Sequence, residues 1–300
     1  MIQGDDEKHL VHFHITIMAH EKIYKSNALI EASYTLSVAE QRIILACIAQ
    51  VDRGSPITDE VMYSVPVATI AKAIGSDSKS IYKELLEASR KLRQRSVKIE
   101  LEPNGGGRKP KTLEASWVQS IVYNEQEGVI NLRFNKDMLP FLTELKEQFT
   151  RYNLSDVAKM TSIYSIRLFE MLIQYTNIGS REIALVDLRK WLQLNDKYAL
   201  MADLRRYVIE PAVNQMNEHS PLQVRYELKR SCRKITHLNF IIGHKRVPAA
   251  EPGPETPTPD PVEEKPAKRV GVSNYKLSRM AHKGESLADA LNRLNVYVKS

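Results

Sequence analysis

A dense cluster of cations lies in the sequence KRSCRK at 229–234. Its members are Lys229, Arg230, Arg233 and Lys234. The flanking stretches 224–228 and 235–242 predict two strands, so the cluster is expected at the tip of a hairpin. Like charges at this density repel one another, and a nucleic-acid phosphate removes that repulsion. The cluster therefore favours a polyanion partner, with a solvated turn as the alternative interpretation.

A long helix predicted from Lys197 to about His219 carries a second candidate surface. Its expected buried stripe is Leu200, Leu204, Val208 and Ala212. Counting 100° per residue from Leu204 places four residues on or beside the opposite, exposed face: Ala202, Asp203, Arg205 and Arg206. Arginine can bridge guanine O6 and N7, aspartate can accept from cytosine N4, and a small alanine admits a thymine methyl. A solvated face with an Asp–Arg pair is the alternative.

An earlier predicted helix repeats this pattern. Its expected core stripe is Ile81, Leu85, Ala88 and Leu92. The candidate DNA-contacting residues are Lys79, Lys83 and Arg90 on the opposite face, with the hydroxyls of Ser78 and Ser80 near the helix start. Residues 90–111 add eight bases against two acids. A polar helix face followed by a flexible basic loop is the alternative interpretation.

The elements that must position these residues occur twice in the same order. A capping box, Ser37 to Glu40, opens a helix through about Asp52, and Pro66 and Gly75 bracket the helix VATIAKAI. The helix bearing Ile81 follows, then strand-like runs from Val97, at 117–123 and at 129–134, with a loop, EPNGGGRKPK, after the first. A strand at 181–185, the helix DLRKWLQL, a turn, the long helix and two strands repeat this order. Pro211 predicts a kink or break of the long helix near Glu210.

This order is that of a winged helix, so the predicted fold class is α+β with two tandem winged-helix domains. Residues 248–266 hold seven of the fourteen prolines and predict an extended linker. Beyond it, Leu287, Leu291, Leu294 and Val298 recur at helical spacing and predict a short amphipathic helix. The predicted parts are an N-terminal arm (1–24), a first winged-helix domain (25–143), a second winged-helix domain (144–247), the linker (248–266) and a basic tail (267–300).

Composition excludes several classes of protein. The net charge is +7, and no apolar run approaches the ~20 residues that span a bilayer. The N-terminus lacks a signal-peptide pattern, so the cytosol is expected. Two cysteines cannot form a disulfide framework, and no nucleotide-binding or hydrolase motif is present, so neither a cofactor nor a metal is expected. His12 and His14 flank Phe13 in an alternating stretch, an element typical of metal-dependent nicking initiators, although a simple strand or arm is favoured.

The segment KSNALIEASYTLSVAEQRIILACIAQV at 25–51 resembles the opening of the iteron-binding plasmid replication initiators, the Rep proteins with tandem winged helices. The resemblance continues through IYKELLEASRKL, SWVQSIVYNEQEGVINLRFNKDMLPFLTELKEQFTRYNLS and SIYSIRLFEMLIQY. It closes with DLRKWLQLNDKYALMADLRRYVIEPAVNQMN and RKITHLNF. The matching blocks cover about residues 24–243, in order and at the spacing typical of the family.

The resemblance implies an initiator that binds iterons, repeated duplex DNA sites at a plasmid origin, in two successive major grooves. It implies origin melting, recruitment of the host initiator and replicative helicase, a homodimer in equilibrium with the monomer, and repression at its own operator. It also implies that the first domain serves dimerisation and DNA binding and the second the main DNA recognition. By position, the second recognition helix holds Lys197, Tyr198, Asp203, Arg205 and Arg206, while Ser162, Tyr164 and the wing cations lie near phosphates. The first helix carries Lys79, Ser80 and Lys83.

The expected protein is thus not an enzyme and works in the bacterial cytoplasm, at the plasmid. Two alternatives stay open. One is a winged-helix transcriptional repressor without initiator activity. The other is a metal-dependent nicking initiator that uses His12 and His14.

Overall fold

The computed structural model describes residues 22–52, 58–76, 79–101, 111–143 and 149–245, the side chain of Lys79 excepted, and the backbone of 270–272 and 296–298. The helices are α1 (Asn27–Ile30), α2 (Val38–Ile48), α3 (Val67–Ile74), α4 (Lys79–Leu92), α5 (Ser155–Ala158), α6 (Ile163–Ile173), α7 (Leu185–Trp191), α8 (Met201–Leu204) and α9 (Glu210–His219). A 3₁₀ helix spans Lys136–Phe141, and a π-helical turn, Arg205–Ile209, joins α8 to α9.

The described residues between 22 and 245 contain ten strands. They are β1 (Lys22–Ser26), β2 (Tyr63–Pro66), β3 (Ser96–Leu101), β4 (Lys111–Ser116), β5 (Val118–Asn124), β6 (Val129–Phe134), β7 (Phe149–Asn153), β8 (Ser180–Ala184), β9 (Leu222–Ser231) and β10 (Lys234–His244). Two further strands, β11 (Val270–Val272) and β12 (Val296–Val298), pair in parallel with each other.

Two modules share one topology. In the first module, α2, α3 and α4 accompany an antiparallel sheet of order β2-β6-β5. In the second module, α6, α7 and the α8–α9 segment accompany a sheet of order β8-β10-β9. In both modules, one strand and two helices precede a β-hairpin. The second strand of that hairpin pairs with the strand that precedes the helices. The predicted tandem arrangement of two winged helices is confirmed.

Local sequence explains the helix ends in the first module. The Ser37 hydroxyl accepts from the Glu40 amide and the Glu40 carboxylate accepts from the Ser37 amide, which completes the predicted capping box. Gly75 ends α3 at φ +72°, a conformation that glycine adopts without steric cost. Helix α2 ends at Ile48 rather than near Asp52, because the Gln50 side chain donates back to the Ala46 carbonyl and across to that of Ser64.

The core follows the predicted helical stripes in most places. The stripe of α4 is buried at Ile81, Leu85, Ala88 and Leu92. Leu204, Val208 and Ala212 are fully buried in the second module. Pro211 has no amide hydrogen to give to the Tyr207 carbonyl, and the chain passes this point through the π turn. The predicted break near Glu210 is confirmed.

Three elements differ from the sequence-based expectations. Strand β1 begins at Lys22 and pairs with β7, so residues 22–24 of the predicted N-terminal arm belong to a sheet. Lys111, predicted in a loop, begins β4, where Leu113 and Ala115 pair with Ile99 and Val97 of β3.

The third difference lies in the C-terminal segment. Val298 belongs to β12 rather than to a helix, since its pairing partner is the distant Val272 and β-branched residues favour strands. Leu287, Leu291 and Leu294, the predicted linker and the loop 102–110 lie outside the described residues.

A buried carboxylate joins the N-terminal segment to α6. Glu170 Oε1 accepts from Lys25 Nζ and from the Tyr152 hydroxyl, each at 2.5 Å, and Oε2 accepts from Arg167 Nη1 at 3.2 Å. Arg167 Nη2 also donates to the carbonyl oxygens of Ile30 and Ala32, at 2.9 and 2.8 Å. All the charged members are buried. Burial alone would raise the pKa of Glu170, but the charges of Lys25 and Arg167 outweigh it and hold that pKa below its usual value.

Glu170→Gln should lower the free energy of unfolding by about 3–5 kcal/mol, because Lys25 and Arg167 stay buried without a countercharge. Urea unfolding of the full chain measures this loss. Glu125→Gln is the matched control: its pair with Arg90 is exposed at both ends, so we expect a change below about 1 kcal/mol.

The same pair of proteins tests the ionisation of Glu170. A carboxylate with a lowered folded-state pKa stabilises the fold above its unfolded pKa, and that contribution is lost as the pH falls through the folded pKa. The difference between wild type and Glu170→Gln should therefore shrink at acid pH. Equal losses in Glu170→Gln and Glu125→Gln would contradict the role of this carboxylate.

Candidate nucleic-acid interface

The π turn presents three consecutive exposed side chains on the second module. Arg205, Arg206 and Tyr207 are exposed, while Leu204 and Val208 on either side are fully buried. The Arg206 guanidinium carbon lies 5.5 Å from the centre of the Tyr207 ring, and no described carboxylate pairs with it. Arg206 therefore projects a free guanidinium from the face where the sequence predicted it. Ala202 is exposed beside it, and Asp203 is half-buried.

Arg205 is exposed but held by its neighbours. Its Nε donates to the Tyr226 hydroxyl at 3.1 Å, and its Nη2 donates to Glu210 Oε1 at 2.8 Å. The predicted Asp–Arg pair is therefore replaced by an arginine–glutamate pair. In this geometry Arg206 is the more available of the two arginines.

The predicted start of the recognition helix is wrong by four residues. Residues 197–200 form a turn, and α8 begins at Met201. The cause is Arg189 of α7, whose guanidinium donates to the carbonyl oxygens of Lys197, Tyr198 and Ala199 at 3.0, 2.5 and 3.4 Å. These bonds hold Tyr198 at φ +56°, which is unfavourable for a residue with a Cβ. Lys197 is exposed in this turn, and Leu200, predicted to be buried, is 68% exposed.

Aromatic side chains pack around Tyr198 in this turn. The Tyr198 ring lies between those of Tyr164 and Tyr207, with centroid distances of 6.4 and 5.7 Å. Burial, with neighbouring Tyr198, raises the pKa of the Tyr164 phenol. Ser162, predicted to lie near phosphates, caps α6: its hydroxyl accepts from the Tyr164 amide, and its own amide donates to Gln215 Oε1.

The wing tip is the turn between β9 and β10. Ser231 pairs with Lys234, so Cys232 and Arg233 form the turn, and Cys232 adopts φ +56°. Arg230, Arg233 and Lys234 are exposed and have no ion-pair partner among the described residues. Lys229 differs, because its ammonium group donates to Glu182 of β8 and thereby lowers the pKa of that carboxyl. Three of the four predicted cations are thus free at the tip.

The first module presents a weaker positive surface. Ser80 and Lys83 are exposed on α4, and Arg90 is exposed but pairs with Glu125 at 3.4 Å. Its hairpin tip between β5 and β6 reads Glu125-Gln126-Glu127-Gly128 and is therefore acidic, unlike the tip of the second module. Ser78 and the side chain of Lys79 lie outside the described residues.

Two further features concern membrane spans and metal sites. No described helix is both long and apolar enough to cross a bilayer. Within the described ranges, no group of three or more His, Cys, Asp or Glu is placed to hold a metal ion. His12 and His14 lie outside those ranges.

Comparison with known proteins decides the family. The family description "Initiator Replication protein, WH1" matches residues 22–173, and "Initiator Rep protein, WH2" matches residues 184–242. The first match alone covers half of the chain. The chain belongs to the initiator replication protein family.

Two relatives of this initiator family member come from Escherichia coli. An "Uncharacterized 27.6 kDa protein" of Escherichia coli is 26% identical over 225 residues, which cover 70% of this chain and 90% of the relative. A "Replication initiation protein" of Escherichia coli is 26% identical over 212 residues, which cover 67% of this chain and 64% of the relative.

A solved structure shares the fold of this initiator family member. The crystal structure of the Pi initiator protein in complex with iteron DNA matches with a TM-score of 0.64 at 19% identity. The match covers 76% of this chain and 98% of that one. The expected identity, a replication initiator with two winged helices, is confirmed. The boundary near residue 143 stays a prediction.

Proposed function

We propose that this chain initiates plasmid replication by binding directly repeated duplex sites, the iterons, through both winged helices. One observation carries the proposal. The second module presents free cations at two separate places, Arg206 on its recognition helix and three more at its wing tip. A helix-turn-helix inserts its second helix into the major groove, and the phosphates beside that groove supply counter-charges for the wing.

The two groups of cations would do different work. Arg206 faces away from the core on the helix that enters the groove, so it is assigned to a base edge, with guanine O6 and N7 as the matching acceptors. Arg230, Arg233 and Lys234 are assigned to phosphates, which position the protein without reading sequence. Lys229 is assigned no primary role, because Glu182 already neutralises it.

The proposal extends to the steps after iteron binding and to autorepression. One monomer would grip one repeat in successive major grooves, help melt the adjacent AT-rich segment and recruit the host initiator and replicative helicase. A homodimer, formed through the first module, would repress the chain's own operator. The "Replication initiation protein" relative and the complex of the Pi initiator with iteron DNA support the initiation and iteron-binding parts of the proposal. No catalytic step is assigned to the chain.

A plasmid that carries the DNA flanking this gene but lacks the gene tests the proposal. Supplying the chain from a second replicon should allow that plasmid to replicate, whereas supplying Arg206→Ala should not. Repression of the chain's own promoter without replication would favour the repressor alternative. Cleavage of single-stranded origin DNA that needs a divalent metal would favour the nicking alternative.

Arg206→Ala should cost about 1–3 kcal/mol of specific binding and relax base preference at one position, because one base-reading contact is lost. Fluorescence anisotropy with the specific duplex and single-base variants measures both effects. Arg151→Ala is the control, since Arg151 is exposed on β7. Unchanged affinity and selectivity in Arg206→Ala would refute the assignment of the recognition helix.

Replacing Arg230, Arg233 and Lys234 by Gln should weaken specific and non-specific duplex binding about equally. The slope of log K against log salt should become shallower by about 3 units, close to 0.9 per lost phosphate contact. The matched control replaces three exposed cations elsewhere, Lys22, Arg151 and Lys159.

Cys232 gives an independent check of the same wing. It is exposed at the tip, whereas Cys47 is fully buried and its burial raises its thiol pKa. Bound duplex should slow alkylation of Cys232 and leave that of Cys47 unchanged. An unaltered salt slope together with unshielded Cys232 would exclude the wing from the interface.

A further inference from the structure

The start of the recognition helix exposes a large apolar side chain among cations. Leu200, the residue before α8, is 68% exposed. Lys197 precedes it by one turn and Arg206 follows on the π turn, and both are exposed. A single exposed leucine is ordinary on a protein surface, but this one immediately precedes the helix to which the proposed function assigns base reading.

The backbone that carries Leu200 is fixed before any partner arrives. Arg189 binds the three carbonyl groups of residues 197–199, and the ring of Tyr198 packs between two other tyrosines. The Leu200 carbonyl accepts the Leu204 amide as the first bond of the helix, at 3.0 Å. A leucine on such a backbone cannot fold back onto the core without breaking these bonds. Its exposure is therefore built into the turn.

The surroundings of Leu200 restrict what could cover it. The flanking cations favour an anionic partner, while the leucine needs an apolar one. A DNA major groove offers both, because phosphates border it and the C5 methyl of thymine is the apolar group on its floor. Ala199 and Ala202 are exposed on either side of Leu200, and their small side chains let the backbone come close to the bases.

We infer that Leu200 is a specificity-determining residue that packs against a thymine methyl group in the recognised site. This inference rests on the proposed binding to duplex DNA. It adds an apolar contact to the polar contacts assigned to Arg206. It also requires that the preferred site has a thymine at the position facing the start of α8.

Removing the apolar group from each partner in turn tests the contact. The full-length chain first selects its preferred duplex from a random-sequence library, and each thymine of that duplex is then replaced in turn by deoxyuridine, which lacks only the methyl. Wild type should bind about fourfold more weakly at one position, as expected for one methyl group removed from an apolar contact. Leu200→Ala should bind the parent duplex more weakly and show no further loss at that position.

Ile178→Ala is the matched control, because Ile178 is 69% exposed in the turn before β8. It should keep the fourfold methyl effect. Thermal unfolding of Leu200→Ala should match wild type, since the lost side chain is exposed. A methyl effect that persists in Leu200→Ala, or a selected duplex without any methyl-sensitive thymine, would overturn the inference while leaving DNA binding intact. Failure of the wild type to select any duplex would instead refute the proposed function itself.

Discussion

The packing of the N-terminal segment against α6 depends on one buried carboxylate. Glu170 balances Lys25 and Arg167 inside the protein, and a tyrosine hydroxyl completes its hydrogen bonding. Its helix, α6, packs against α9 and against β7, while Arg167 donates to the carbonyl oxygens of Ile30 and Ala32. Removing Glu170 leaves Lys25 and Arg167 buried without a countercharge. The network thus holds α6 against the N-terminal strand β1 and the segment that follows it.

The two modules share a topology but differ in charge at their wing tips. The tip of the first module carries Glu125 and Glu127, whereas the tip of the second carries three free cations. Phosphate contacts through the wing are therefore assigned to the second module. In the first module the β3–β4 hairpin contacts the second module instead, where Glu100 pairs with Lys190 and Ser33 donates to the Lys190 carbonyl. In the proposed function both winged helices bind DNA, and the first also contacts its neighbour through β3.

Local rules predicted most of the fold, and long-range contacts account for the failures. Capping at Ser37, the glycine stop at Gly75 and the apolar stripe of α4 are set by neighbours in sequence, so periodicity found them. The pairing of β1 with β7 joins residues more than a hundred positions apart and leaves little local signal. The prediction that the helix starts at Lys197 was wrong because the Arg189 side chain binds the carbonyl oxygens of Lys197 and Tyr198. Helical spacing in the sequence does not show this contact. Arg206 and the wing were found from charge and spacing, but the exposure of Leu200 required the structure.

The central claim is that both recognition helices bind one duplex site at a fixed separation. Methylation interference at guanine N7 tests it most directly, because that atom lies in the major groove. On the selected duplex, with one chain bound, we expect two clusters of interfering guanines centred about 10 base pairs apart, on one face of the helix. A single cluster, or two clusters whose separation varies between bound sites, would contradict the account.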